Sequence, residues 1–287
     1  MSNLTSGYDW QAGDTVTAAR LKQAIESATP TAVGIALFVP RGYIDGLILA
    51  NNSGDADHDI DIGPGIARNG GNTATLTLGS ALTKRIDATW SAGTGNGGLD
   101  TGSIPVSGTL HLWLISNGTL VDVLFSTSAT APTMPVGYTL NRRIGAVLTD
   151  ASSNVRGFFQ NGNNFSLKSP IMDVNVLQGT TASLQAISVP TGLKVIASLS
   201  VGAHRLGAGT IEILVTDPDE GITGIPALFT MPIAHMAVGY HQFHSLVYSQ
   251  LHLFTNVMRQ VRINAAMSAV EVRISCRGWI DTRDRDA

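Results

Sequence analysis

The sequence has little charge, four lysines and a single cysteine. Charged residues make up 14% of the 287 positions, whereas an ordinary soluble domain has about 25%. Cys276 cannot form an intramolecular disulfide, and one thiol is too few for a cysteine-based zinc site. A small disulfide scaffold is therefore excluded, and the cysteine content does not indicate a redox compartment.

The sequence also lacks the usual features of nucleic-acid and membrane proteins. Lys and Arg number 18 against 21 Asp and Glu, the net charge is −3, and no segment is strongly basic. Neither a nucleic-acid partner nor binding to a charged membrane surface is indicated. No apolar run approaches the roughly 18 residues of a membrane span, and residues 1–30 lack the basic and apolar regions of a signal peptide. We therefore expect a soluble protein that does not insert into membranes.

The shortage of charge predicts an assembly of identical chains. A monomer of 30.1 kDa with a mean hydropathy of +0.17 would expose large apolar patches, which monomeric proteins rarely do. We expect this surface to be buried against other copies in a symmetric homo-oligomer.

Helical periodicity is clear once, over residues 17–28. Leu21, Ile25 and Ala28 recur at positions i, i+4 and i+7, which is typical of an amphipathic helix. An isolated helix of this length is marginal in water, so we expect it to dock on another protein. Residues 1–42 are accordingly predicted to form an N-terminal helix and a connecting arm that attach the protein to a larger particle.

Beyond residue 42, short runs of alternating apolar and polar residues are separated by Gly, Asn and Pro, which is typical of antiparallel sheets. The predicted fold class is mainly β, with the short N-terminal helix followed by two antiparallel β-sandwich or barrel-like domains. We place the boundary at Ser169-Pro170. This gives a β framework domain over 43–169 and a C-terminal β-sandwich over 170–287, which is the candidate recognition or oligomerisation domain.

Two local patterns within these domains are especially clear. Asn161-Gly162, between phenylalanines, suits a tight hairpin turn. In the last predicted strand, 268–280, apolar residues alternate with polar ones, which predicts one face toward the core and one toward solvent. The other predicted strands are 44–49, 57–62, 73–78, 109–115, 120–125, 143–149, 155–159, 183–189, 193–201, 210–216, 243–248 and 257–263.

Two short motifs resemble functional sequences but lack their context. Asp100-Thr101-Gly102 resembles the active-site loop of aspartic proteases, whose chemistry needs a second carboxylate, and the chain has no second copy of the motif. Gly93, Gly95 and Gly98 spell G-x-G-x-x-G, but Pro105 follows where a nucleotide site needs a helix. We expect both segments to be loops, with Asp100 bound to local backbone. No catalytic residue and no cofactor are predicted.

Four aspartates alternate with other residues over positions 55–61. A calcium-binding EF-hand loop would need glycine and glutamate at the positions occupied by Ile60 and Ile66. Calcium binding with help from a neighbouring loop stays open. The favoured interpretation is a solvated edge strand, because charged edges block unwanted strand pairing.

Histidine and aromatic side chains are concentrated between residues 231 and 254. Tyrosine and phenylalanine supply rigid contact area, which suits recognition of a partner or a host surface. The alternative is that the same side chains line an interface between identical subunits. No metal is predicted, although an oligomer axis that brings copies together leaves a structural metal open. The candidate recognition or interface residues are His235, Tyr240, His241, Phe243, His244, Tyr248 and His252.

Several stretches together resemble a family of tailed-bacteriophage virion proteins, the tail-fibre or tail-associated structural proteins. The resemblance covers residues 8 to about 170 and the C-terminal end, and fades between about 200 and 256, so that region is expected to be the variable, partner-specific part. The matching stretches are 8–13 (YDWQAG), 17–21 (TAARL), 43–47 (YIDGL), 82–87 (LTKRID), 97–102 (GGLDTG), 121–128 (VDVLFSTS), 134–135 (MP), 142–145 (RRIG), 156–158 (RGF) and 278–281 (GWID).

The resemblance implies a virion structural protein that is not an enzyme. We expect a tail fibre or receptor-binding component located in the virion tail, most simply a homotrimer, which contacts other tail proteins and a host cell-surface receptor. One alternative is a head or collar decoration protein. A second alternative is a polysaccharide-degrading tail spike, against which stand the missing carboxylate pair and the absence of β-helix repeats.

Overall fold

The computed structural model describes residues 4–5, 13, 15–19, 29–30, 39–205, 209–220, 236–241 and 245–283. Over these residues the protein is mainly β, as the sequence predicts. Leu21, Ile25 and Ala28, which define the predicted attachment helix, lie outside the described residues. Within the described ranges, no helix has the length and apolarity needed to cross a lipid bilayer.

The described residues form 21 strands, numbered here in chain order. Before residue 150 the strands are short and follow one another closely, whereas several later strands reach ten residues or more. The strands are β1 (Leu4–Thr5), β2 (Thr29–Pro30), β3 (Ile44–Gly46), β4 (Leu49–Asn51), β5 (Asp59–Ile62), β6 (Gly65–Arg68), β7 (Thr75–Leu78), β8 (Leu82–Thr89), β9 (Asn96–Leu99), β10 (Thr109–Ser116), β11 (Val121–Ser126), β12 (Leu140–Leu148), β13 (Phe158–Asn161), β14 (Asn164–Gln178), β15 (Ser183–Ala186), β16 (Ile196–Arg205), β17 (Gly209–Thr216), β18 (Met236–His241), β19 (Ser245–Phe254), β20 (Gln260–Ala265) and β21 (Val270–Ile280).

The N-terminal part is built from two sheets around a shared core. A seven-stranded sheet has the order β12-β10-β11-β9-β8-β5-β4, and a three-stranded sheet has the order β3-β6-β7. Leu76 of the small sheet belongs to the same apolar core as Leu112 and Phe125 of the large one. Every residue of β10 is buried, so both faces of this central strand are covered.

The C-terminal part pairs a five-stranded sheet, β13-β14-β21-β16-β19, with a four-stranded sheet, β15-β20-β17-β18. Val201 and Val272 of the first sheet and Ile213 and Ile263 of the second join one core cluster, and that cluster continues into the N-terminal part. The arrangement is a β-sandwich, because apolar residues from two sheets meet between them.

The two clearest local predictions are confirmed. β13 and β14 form a hairpin in which Asn161 pairs with Asn164, and Gly162 takes the positive φ of 58° that the tight turn needs. In β21 the apolar positions from Val270 to Cys276 are buried, while the intervening positions are exposed or intermediate.

The strand β14 was not predicted, and the predicted domain boundary at Ser169-Pro170 lies inside it. The register with β21 jumps between Ser166 and Ile171, so the four residues between them form a bulge. Proline cannot donate to a strand ladder and is tolerated at bulges, which explains its presence within a strand. The strands β6, β8, β9 and β18 were also missed.

The C-terminal end returns to the N-terminal part. Trp279 stacks on Phe165, with ring centroids 5.4 Å apart and an interplanar angle of 4°. Asp281 accepts two hydrogen bonds from Arg143 of β12, each 2.7 Å long. The last described residues therefore tie β21 to both parts of the chain.

Candidate functional site

The outward side of β14, β21, β16 and β19, which we call the exposed face, carries accessible charged, polar and aromatic side chains. Strand alternation sends Arg273 and Arg277 of β21 to this side, because their neighbours Val272 and Cys276 are buried in the core. On β19, Tyr248, Gln250, His252 and Phe254 occupy alternate positions and are all exposed. The exposed face has two grooves.

The first, which we call the cationic groove, has a volume of about 410 Å³. It runs across four strands, so neighbouring strand spacing makes it roughly 14 Å wide. Its floor includes the buried Leu199, and most of its lining residues are polar. The lining residues are Asn164, Ser166, Leu167, Lys168, Pro170, Ser198, Leu199, Gln250, His252 and Arg277.

Two irregularities in the sheet shape the cationic groove. The bulge in β14 removes its residues from the ladder next to Arg277. On the other side, Ser198 pairs with Gly278 and Leu199 with Cys276, so Arg277 is the extra residue of a second bulge. Bulges redirect side chains and are common next to binding sites. They open a polar groove in a sheet face that would otherwise be continuous.

Among the described residues, no carboxylate balances the charges in the cationic groove, and no acidic side chain lines it. Of the three described lysines, Lys84 and Lys194 pair with aspartates, whereas Lys168 lies over the ring of Phe159 at 5.2 Å. Within the described part of the chain Arg277 makes no ion pair. The groove therefore has a positive charge in a protein whose net charge is −3.

The second groove, the tyrosine groove, has a volume of about 310 Å³ and is lined by Gly202, Ala203, His204, Tyr248, Glu271 and Arg273. Gly202 pairs with Tyr248 across the ladder, and the ring lies so close that a Cβ at Gly202 would be 3.0 Å from Cε1. Glycine thus lets the ring lie against the sheet while 75% of Tyr248 stays exposed.

The charged groups beside Tyr248 neutralise one another. Arg273 Nε donates to Glu271 Oε1 at 2.9 Å, and His204 Nδ1 lies 3.5 Å from Glu271 Oε2. The hydrogen bond from Arg273 holds the pKa of Glu271 below its ordinary value. The tyrosine groove therefore presents an aromatic ring next to a balanced set of charges, in contrast to the cationic groove.

The structure separates the predicted recognition residues. Tyr248 and His252 share the exposed face on β19, four positions apart. Tyr240 and His241 belong to β18, which is in the four-stranded sheet. His235, Phe243 and His244 lie outside the described residues.

Sequence reasoning missed Lys168, Ser198 and Arg277 as members of a site. The alternation in the last predicted strand places Arg277 on the solvent side, but does not indicate a binding site there. Its proximity to Lys168 depends on the pairing of β21 with β14, for which the local sequence contains no signal.

Asp100-Thr101-Gly102 is a loop, as expected from its context. In the nucleotide-like motif Gly93 and Gly95 lie in a loop, whereas Gly98 belongs to strand β9, so the expectation of a loop is only partly correct. Asp100 accepts hydrogen bonds from the backbone N–H groups of Thr101 at 2.7 Å and Thr133 at 2.9 Å. In the glycine-rich segment, the N–H of Gly93 donates to Asp122 at 2.7 Å, and Asp122 also pairs with the buried Lys84 at 2.9 Å. Side chain to backbone bonds thus fix both loops.

The interpretation of the alternating aspartates as an edge strand is wrong. β5 lies between β4 and β8 within the seven-stranded sheet. Asp55 precedes the strand and accepts backbone hydrogen bonds from Asp57 and His58, while Asp61 accepts from Asn52 and Thr83. Over the residues that the structure describes, no group of three or more His, Cys, Asp or Glu side chains is placed to hold a metal ion.

Comparison with known proteins does not identify a family. No protein-family model matches the chain, and no curated protein matches it. Among solved structures, a tryptic core variant of the Bacillus thuringiensis protein Cry1Da aligns at 8% sequence identity with a TM-score of 0.20. The alignment covers 88% of this chain and 56% of that one, so the chain spans about half the length of that structure.

Proposed function

We propose that this protein is a structural and adhesive component of a bacteriophage tail, and that it contacts the host surface through the exposed face. The sequence resemblance to tail-fibre and tail-associated proteins supports the first part. The second part rests on one observation: Tyr248 is exposed in the tyrosine groove, on the same sheet face as the cationic groove.

The chemistry of the exposed face is that of a recognition surface. An exposed tyrosine offers a large rigid contact area with a polar tip. On the same face, Gln250 and Ser198 of the cationic groove can donate and accept hydrogen bonds. Sugar rings on a cell surface have apolar faces and hydroxyl edges, and this mixture complements both.

The N-terminal part suits a framework role within this proposal. The ion pair of Lys84 with Asp122 and that of Arg143 with Asp281 are buried. The first pair joins β8 to β11 within the seven-stranded sheet, and the second joins β12 of that sheet to the end of β21 in the five-stranded sheet. Residues 1–42 are the proposed attachment to other tail proteins.

A second use of the exposed face has its own support. Met172 and Leu177 of β14 are exposed at 58% and 75%, and they pair with Ser275 and Glu271 of β21. Exposed apolar side chains on a sheet, in a chain with few charges, favour contact with another copy of the chain. The proposed homotrimer would then bury this side of the exposed face.

The test is binding of purified full-length protein to cells of the bacterium that the phage infects. Tyr248→Ala should reduce binding at least tenfold and leave the oligomer, measured by light scattering, unchanged. Leu120→Ala is the matched control, because Leu120 is also exposed but lies between β10 and β11. Equal binding of both variants would contradict host recognition by the exposed face, and dissociation of the Tyr248 variant into monomers would assign that face to subunit contact.

A further inference from the structure

We infer that the cationic groove binds an anionic saccharide unit, a sugar that carries a carboxylate or a phosphate. This inference rests on the proposed function, which places the exposed face against a bacterial surface. It adds the chemical class of the ligand and the residues that select it.

Charge is the first argument. Lys168 and Arg277 reach the cationic groove from neighbouring strands, and no carboxylate of the described residues lines it. Elsewhere in the described chain, paired cations are common: Arg85 binds Asp87, Arg143 binds Asp281 and Arg273 binds Glu271. Two cations that face one groove without an anion create a positive potential, which an anionic ligand complements.

The geometry of the donors is the second argument. Arginine presents a planar fork of N–H groups that matches carboxylate and phosphate oxygens, and lysine adds a point charge. The bulge at Arg277 places this fork among neutral hydrogen-bonding groups, namely Ser198, Gln250 and Asn164. These groups suit the hydroxyls of a sugar, which an isolated inorganic anion lacks.

The small number of cations in the cationic groove argues against nucleic acid as its ligand. Binding of the nucleic-acid backbone requires several phosphates to be neutralised along a track of Lys and Arg. The cationic groove has one lysine and one arginine, with His252 at its far side. A ligand with an isolated negative charge and many hydroxyls fits this lining better than a polyphosphate chain.

The experiment measures binding of the full-length protein to soluble probes by calorimetry at low and moderate salt. The carboxylate probe is trigalacturonate, the phosphate probe is a short glycerol-phosphate polymer, the neutral probe is maltotriose, and the nucleic-acid probe is a DNA duplex. We expect at least one of the first two probes to bind at least tenfold more tightly than maltotriose, with affinity that falls as salt rises.

The variants Lys168→Gln and Arg277→Gln should each weaken binding of that probe about tenfold. Both side chains are exposed, so the fold should survive the changes. Arg85→Gln removes the same charge from an exposed ion pair of the N-terminal part and should bind normally. The carboxylate and phosphate probes distinguish the two possible sources of the anion.

Several results would overturn the inference: no preference for either anionic probe over maltotriose, normal binding by the Arg277 variant, or tightest binding to DNA. Cell binding separates this inference from the proposed function. If Tyr248→Ala abolishes binding to cells while Arg277→Gln binds them normally, the exposed face recognises the host but the anionic ligand is wrong.

Discussion

Arg143 and Asp281 lie 138 positions apart in the sequence and form two parallel hydrogen bonds of 2.7 Å, with both side chains almost completely buried. Asp281 also accepts the backbone N–H of Arg283 at 2.8 Å. Burial raises the pKa of Asp281, but the hydrogen bonds from Arg143 outweigh this effect and hold that pKa below its ordinary value. This pair fixes the end of β21, and β21 carries Arg273 and Arg277 of the exposed face.

Asp281→Asn should lower the free energy of unfolding by about 3–5 kcal/mol, because it removes the negative charge that the buried Arg143 binds through two hydrogen bonds. Urea unfolding at neutral pH measures the loss. A carboxyl whose pKa is lowered in the folded protein stabilises the fold at any pH above its ordinary pKa of 3.8. That stabilisation is lost as the pH falls below 3.8. Asp87→Asn, in an exposed pair with Arg85, is the control and should cost less than about 1 kcal/mol. Similar losses for both variants would refute the structural role of the buried pair.

His111 should make the protein less stable in mild acid. Burial, together with the nearby charge of Arg143, lowers the pKa of His111 from 6.5 to about 4. Between these values the unfolded chain takes up a proton and the folded protein does not, so stability falls as the pH falls. This one group should account for about 2 kcal/mol between pH 7 and pH 4.5.

The variant His111→Gln isolates that contribution. Glutamine does not titrate and can still donate to the carbonyl oxygen of Thr191, which His111 Nε2 contacts at 3.0 Å. Between pH 7 and pH 4.5, the free energy of unfolding should fall by about 2 kcal/mol less in the variant than in the parent protein. A pH profile parallel to that of the parent protein would show that His111 is not the titrating group.

Gly278 should not tolerate a side chain. Its φ is 150°, and a Cβ at this position would lie 2.0 Å from the carbonyl oxygen of Phe165. Gly278→Ala should therefore lower the free energy of unfolding by about 3 kcal/mol or more, as measured by thermal or urea unfolding. Gly79→Ala is the control, because a Cβ there meets no atom within 4 Å. A stable Gly278 variant would contradict the close approach of β21 to β14.

Asp100→Asn should leave binding to host cells unchanged and lower stability by only about 1 kcal/mol, because asparagine keeps one of the two acceptor oxygens that Asp100 offers to the backbone. A proteolysis assay at acidic pH is the decisive measurement. Proteolytic activity that this substitution removes would make the loop catalytic and overturn the framework interpretation.

Regular alternation was predictable from the sequence, and departures from it were not. In β21, Val270 to Cys276 follow a strict period of two, so both the strand and its buried side could be read directly. β14 contains Pro170 and shifts register twice against β21. A local pattern cannot distinguish a proline in a bulge from a proline between domains, because the difference depends on the partner strand.

The same limit applies to the candidate site. Tyr248 and His252 were found because aromatic and histidine residues are concentrated in that segment. Arg277 and Lys168 are 109 positions apart and come together only through the pairing of β14 with β21. Arg143 was similarly unpredictable as a buried residue, since its partner lies at the far end of the chain.

Hydroxyl-radical footprinting of the full-length protein, with and without envelope fragments of the host bacterium, tests host recognition by the exposed face most directly. The account predicts that Tyr248 and His252 are oxidised readily in the free protein and become protected when the fragments bind. Val136, which is fully exposed in the N-terminal part, should react equally in both samples. Bound fragments that leave Tyr248 and His252 as reactive as before, or that protect only the N-terminal part, would contradict the account.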